Sequence, residues 1–99
     1  MDVEDLPAQG NISVKLLLFA KARELAGCSS TDFTISIGAV SNKLTGGQLK
    51  GLIVERFPRL TSVADNSLLA VALNYVDVDD SVELYEGVEV ALIPPIGGG

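Results

Sequence analysis

The chemistry open to this chain is narrow, and it gathers at one end. The 99 residues include no histidine and one cysteine, which excludes a His-based triad, a His metal site and an intrachain disulfide framework. Cys28 reads as an inert, packed thiol. No G-x-x-x-x-G-K-[ST] phosphate loop is present. Gly46 and Gly47 followed by Gly51 suit a loop entering a helix better than a phosphate cradle. What is left is the run Ile93-Pro-Pro-Ile-Gly-Gly-Gly99. Glycines carry no side-chain chemistry, so a role for Gly97, Gly98 and Gly99 belongs to the backbone or to the carboxylate of Gly99. Backbone without Cβ threads a narrow channel at whatever angles the channel demands. Four residues beyond Pro95 reach roughly 14 Å at about 3.5 Å each, enough to enter another protein's pocket while the body stays outside. A terminal carboxylate is ionised at neutral pH and is a poor electrophile, so it needs activation through a better leaving group. Pro94 and Pro95 cannot donate to a strand ladder. They end the strand and stiffen the approach, which limits the entropy lost on docking.

Composition narrows the partners. Acids outnumber bases thirteen to seven, for a net charge of −6. Residues 1–50 balance five acids against five bases, so the whole excess lies in residues 51–99, with eight acids and two bases, Arg56 and Arg59. Six acids and no base fall within residues 77–89. Nucleic acid needs neutralising cations and is an unfavourable partner; a basic protein surface is a favourable one. No run of eighteen apolar residues exists for a membrane span. The acidic start lacks the basic and apolar regions of a signal peptide, so a cytoplasmic location is expected.

The elements that must hold the glycine end follow from periodicity. Residues 12–19 alternate as a strand, with Ile12, Val14, Leu16 and Leu18 on one face and Leu17 and Phe19 on the other. Residues 21–26 form a short helix stopped by Gly27. Residues 32–37 alternate again and suit antiparallel pairing with the first strand. Residues 38–46 read as a loop. Residues 48–57 read as the main helix, with Thr45 as N-cap, an apolar stripe of Leu49, Leu52, Ile53 and Phe57, and Pro58 as its stop. Residues 68–73 suit a central strand, Tyr75 and Val76 a short edge strand, and residues 82–85 a turn of helix. The apolar run 88–93 is the last strand. Residues 1–11 are expected to be a disordered extension, 12–95 the folded domain and 96–99 a flexible tail. This order fits an α+β, β-grasp sheet with helices on one face and the last strand central beside the first.

The stretches Val14-Lys-Leu-Leu-Leu-Phe-Ala-Lys-Ala-Arg-Glu-Leu-Ala-Gly27, Leu84-Tyr-Glu-Gly-Val-Glu-Val-Ala-Leu-Ile-Pro-Pro95 and the Gly98-Gly99 end resemble the small subunits of molybdopterin synthase, ubiquitin-like sulfur carriers. The resemblance spans about residues 12–99. It implies that the Gly99 carboxylate is adenylated by an E1-like enzyme and converted to a thiocarboxylate. The tail then enters the large synthase subunit, where its sulfur goes into the dithiolene of molybdopterin. It implies no metal or cofactor on this chain, with ATP and Mg²⁺ used by the activating partner. Phe19, Val76, Ile93, Pro94 and Pro95 are the expected partner contacts. A carrier for thiamine or tRNA thiolation, and a ubiquitin-like protein modifier, share the same glycine end. Arg23 and Glu24 read as a surface helix pair.

Overall fold

Alternation in four strands decides which side of the sheet becomes core. A computed structural model of the chain describes residues 10–37 and 43–95. Strands β1 (Gly10–Leu18), β2 (Ser30–Ile37), β7 (Glu89–Ile93), β4 (Leu68–Val71) and β5 (Asn74–Val76) form one sheet in the order β2-β1-β7-β4-β5. β7 runs parallel to β1 and antiparallel to β4, so the last strand lies at the centre. The register sets Val14 opposite Phe33, Leu16 opposite Val90, and Leu92 opposite both Leu18 and Leu69. These seven side chains share one face and all are buried. This is the expected α+β, β-grasp arrangement.

Helices close that face. α1 (Ala20–Ala26) is capped by Gly27 at φ 80°, in the left-handed region. α2 (Gly46–Arg56) buries Leu49 and Ile53 completely, worth about 1.5–3 kcal/mol per side chain. Leu52 and Phe57, read with them as one stripe, are only partly buried and pack at the core's margin. The helix begins two residues earlier than the apolar stripe predicts. Its start is set by a full capping box: Thr45 Oγ1 accepts from the Gln48 N–H at 3.1 Å, and the Gln48 side chain accepts from the Thr45 N–H at 2.9 Å. The next two N–H groups, of Gly46 and Gly47, donate to the carbonyls of Asp80 and Val78 at 2.9 and 3.0 Å. The loop at 77–80 thus lies across the helix start and satisfies donors that the helix leaves orphaned.

Several boundaries differ from expectation. Residues 82–85 form no helical turn. β6 (Ser81–Glu83) pairs antiparallel with β3 (Lys43–Thr45), inside the stretch read as a loop, with Val82 opposite Leu44. Four residues make a poor helix nucleus, whereas a strand partner satisfies their backbone at once. β1 takes in Gly10 and Asn11, opposite Ile37 and Ser36, so pairing starts within the stretch read as an extension. Beyond Pro58, a 3₁₀ turn (Pro58–Leu60) runs into α3 (Thr61–Ala64) and buries Leu60. The readings for residues 1–9 and 96–99 lie outside the described residues.

Candidate functional site

The sheet face away from the helices has no covering layer of its own among the described residues. Register builds its rows. Leu17 pairs with Ser30 on one side and Ala91 on the other; Ala91 pairs with Ala70, and Ala70 with Tyr75. One row nearer the exit of β7, Ile93 pairs with Leu68. One row further back, Lys15 lies between Asp32 and Glu89. The face is therefore apolar toward the end where the chain leaves β7 and charged toward the other. Phe19 is 44% exposed, Leu68 54% and Tyr75 71%. Leu68 and Phe19 lie toward that exit and Tyr75 one row back on the edge strand, and large apolar side chains exposed on one face suit a contact surface.

Phe19 is held there by its backbone. Its extended φ/ψ of −121°/154° continues the alternation of β1, so its side chain follows Leu17 onto the open face. Its N–H donates to the Leu92 carbonyl at 3.3 Å, and its own carbonyl accepts from the Ala22 and Arg23 N–H groups. The side chain is thus exposed on a fixed base. Phe19 and Ile93 lie at the same end of neighbouring strands, where β7 leads into Pro94, which is buried, and Pro95, which is exposed.

Val76 does not join them. It pairs with Leu69 and lies on the core face, partly buried against the core. The expected trio is therefore split, because adjacent strand residues point to opposite faces. The open-face residue of β5 is Tyr75, which the sequence reading passed over, along with Leu68. Alternation within 68–71 and 74–76 carries that signal only once the register against β7 is known. Gly97, Gly98 and Gly99 lie outside the described residues.

The rest of the described surface offers little chemistry. Glu24 faces Lys21 at 3.8 Å rather than pairing with Arg23, and both partners are mostly exposed, so the pair contributes little. Among the described residues no group of three or more potential metal ligands occurs. No buried side-chain N or O atom lacks a partner there, and no helix is long and apolar enough to cross a membrane. Cys28 is a free, partly buried thiol. The arrangement suits contact through a face, and among the described residues none of these groups forms a catalytic constellation.

Comparison with known proteins agrees. Residues 16–99 match the ThiS family. A molybdopterin synthase sulfur carrier subunit of Aedes aegypti is 40% identical over 89 residues, spanning 89% of this chain and 90% of its own. The subunit 1 and 2 complex of molybdopterin-converting factor from Helicobacter pylori contains a chain that superposes with a TM-score of 0.56 at 22% identity, over 89% of this chain and 100% of that one. Small archaeal modifier protein 1 of Haloferax volcanii superposes with a TM-score of 0.62 at 24% identity, over 86% and 99%. At those identities the two structural likenesses speak to the fold alone, whereas the sequence relationship reaches further. The chain belongs to the ThiS family and stands among the molybdopterin synthase sulfur carrier subunits.

Proposed function

We infer that the protein is the sulfur carrier subunit of a molybdopterin synthase, with the Gly99 carboxylate as the group that is loaded. The observation that carries this reading is the family match, which runs through Gly99, on a chain whose central strand β7 leads straight to Pro94, Pro95 and the glycines. In this reading an E1-like partner supplies ATP and Mg²⁺. The carboxylate oxygen attacks the α-phosphate, pyrophosphate leaves, and an acyl-adenylate forms. A persulfide sulfur held by the partner then displaces AMP to give an acyl disulfide, and attack of a second partner thiol on that disulfide releases the thiocarboxylate and leaves the partner with a disulfide. In the large subunit that sulfur attacks a carbon of the pterin precursor and displaces an oxygen leaving group from it. Hydrolysis of the resulting acyl–sulfur bond returns the carboxylate and leaves sulfur on the product. This chain contributes no acid or base to these steps; it contributes position.

Position has two parts. The apolar face of Phe19, Leu68, Tyr75 and Ile93 docks the body, and Pro94, Pro95 and the glycines set the reach of the end. The large subunit is the partner this reading gives the face, since the 40% identical relative is a carrier subunit of molybdopterin synthase. Both partners need the same chain end, so they engage in turn. A cytoplasmic setting, where ATP is at hand, belongs to the same reading.

The test is an intact mass of the C-terminal peptide after incubation with activating enzyme, ATP and a sulfur donor. A mass gain equal to sulfur replacing one oxygen is expected. Deleting Gly99 leaves thermal stability unchanged and abolishes product, because the carboxylate then stops about 3.5 Å short of the catalytic groups. Full product from the deletion variant overturns the reading. Attachment of the unthiolated chain to lysines would turn it into a modifier.

A further inference from the structure

The hairpin joining β4 to β5 turns through Ala72 and Leu73, with Val71 opposite Asn74 as its closing pair. Both turn residues have positive φ, 51° and 71°. Two-residue hairpins with both central φ values positive strongly prefer Asn-Gly, because a Cβ is strained there. Here neither residue is glycine or asparagine, and Leu73 is 89% exposed, so its side chain returns nothing to the core. The turn is nonetheless firmly held. The Ala72 N–H donates to the Glu89 carbonyl of β7 at 2.9 Å, and the Asn74 side chain donates to the Ala72 carbonyl at 3.1 Å. Among the described residues one other non-glycine residue has positive φ, Ala20, and it follows Phe19 directly. Ala20 thus adjoins Phe19 at the exit end of the open face, while Ala72 and Leu73 close its other end, level with Glu89 and next to the row of Tyr75. Backbone strain that the fold itself does not use gathers where a surface is shaped for a ligand.

We propose that this turn is a built part of the docking face and that Leu73 seats in an apolar socket on the large synthase subunit. The proposal rests on the carrier reading above. Distance permits it: the hairpin tip lies about five residues from the row of Leu68 and Ile93, roughly 17 Å at ~3.4 Å per residue. A standard interface covers about 800 Å² per partner, so a partner seated on Phe19 and Ile93 is large enough to reach the tip. The occupant is the large subunit because the carrier reading, carried by the family match and by relatives that are carrier subunits of molybdopterin synthase, gives the chain that partner. A lone exposed leucine on an unstrained loop would need no explanation. One fixed in a left-handed turn at the end of the open face, next to the row of Tyr75, does.

The experiment replaces the turn with the residues its geometry prefers, Ala72→Asn with Leu73→Gly, alongside Leu73→Ala and the unchanged protein. Melting temperature, affinity for the purified large subunit by titration calorimetry, and ATP–pyrophosphate exchange with the activating enzyme are measured for each. The Asn-Gly protein melts no lower than the parent, binds the large subunit at least about tenfold more weakly, and is activated normally. Leu73→Ala keeps the strained backbone and loses most of the same affinity. Affinity within about twofold of the parent, for a fully folded Asn-Gly protein, overturns the proposal. So does a loss that shows in the exchange assay instead, which would give the hairpin to the activating enzyme. Failure of the carrier reading looks different: the unchanged protein itself fails to bind the large subunit.

Discussion

Two glycines on the same helix should respond to alanine in opposite directions. A Cβ on Gly46 would overlap the Asp77 carbonyl oxygen and lie 3.0 Å from both the Asp77 carbonyl carbon and Val76 Cγ1. Two of these three atoms are backbone and cannot swing aside. Relief requires moving the 77–80 loop, whose Val78 and Asp80 carbonyls accept the Gly47 and Gly46 N–H groups. Overpacking costs about 1–3 kcal/mol, and two weakened hydrogen bonds add about 0.5–1.5 kcal/mol each. Gly46→Ala should therefore destabilise by about 2–6 kcal/mol, a large share of the ~5–15 kcal/mol that holds a domain together. At Gly51, one turn along, a Cβ meets nothing within 4 Å. There alanine removes the helix penalty of glycine and should stabilise by about 0.5–1 kcal/mol. Urea unfolding followed by circular dichroism reads both as shifts in midpoint at constant slope. In a chain of this size each kcal/mol moves the melting temperature by about 4–8 °C. If Gly46→Ala unfolds within about half a kcal/mol of the parent, the loop does not press on the helix start and the account of α2's origin is wrong.

Thr45→Ala removes one half of the capping box and should cost about 1 kcal/mol, read in the same urea titration, with activation by the E1-like partner unaffected in the folded protein. Phe19→Ala and Val76→Ala separate the two sheet faces. The first should leave the melting temperature nearly unchanged and weaken large-subunit binding by about tenfold or more in calorimetry. The second should lower stability by about 1–3 kcal/mol with little loss of affinity; the reverse pattern would put Val76 on the docking face.

How much of this was legible beforehand depended on whether a signal was local. The strands β1 and β2, the stop at Gly27 and the Thr45 cap are written in runs of a few residues, and the structure repeats them. The central place of β7 was legible too, since an apolar strand flanked by partners on both sides reads as a continuous run. Tyr75 and Val76 show where legibility fails. Both are apolar neighbours in a three-residue strand, and only the pairing of Leu69 with Val76 decides which one faces outward. That pairing is local to the hairpin, but the face Leu69 takes is set by its place opposite Leu92 of β7, a long-range fact. β3 and β6 were missed for a related reason: each has three residues, too few to show a period, and each exists as a strand because the other does. Leu73 left no sequence signal, since a leucine after an apolar run reads as more strand.

The central strand has a consequence for how the chain comes into being. β4 and β5 form a local hairpin, and β1 and β2 meet across α1, but each pair is only part of the sheet until β7 slides between β1 and β4. Lys15 pairs with Glu89 across 89 − 15 = 74 residues of chain, the kind of distant, parallel contact that slows folding. During synthesis β7 is made after every other described strand. A nascent or prematurely terminated chain therefore carries two separate sheet fragments, with the apolar sides of Leu16, Leu18, Leu69 and Val71 uncovered and with no assembled face for a partner to grip. Recognition by either of the proposed partners is thereby conditional on translation having passed residue 93, so a chain truncated before β7 is excluded from docking by its own failure to close the sheet.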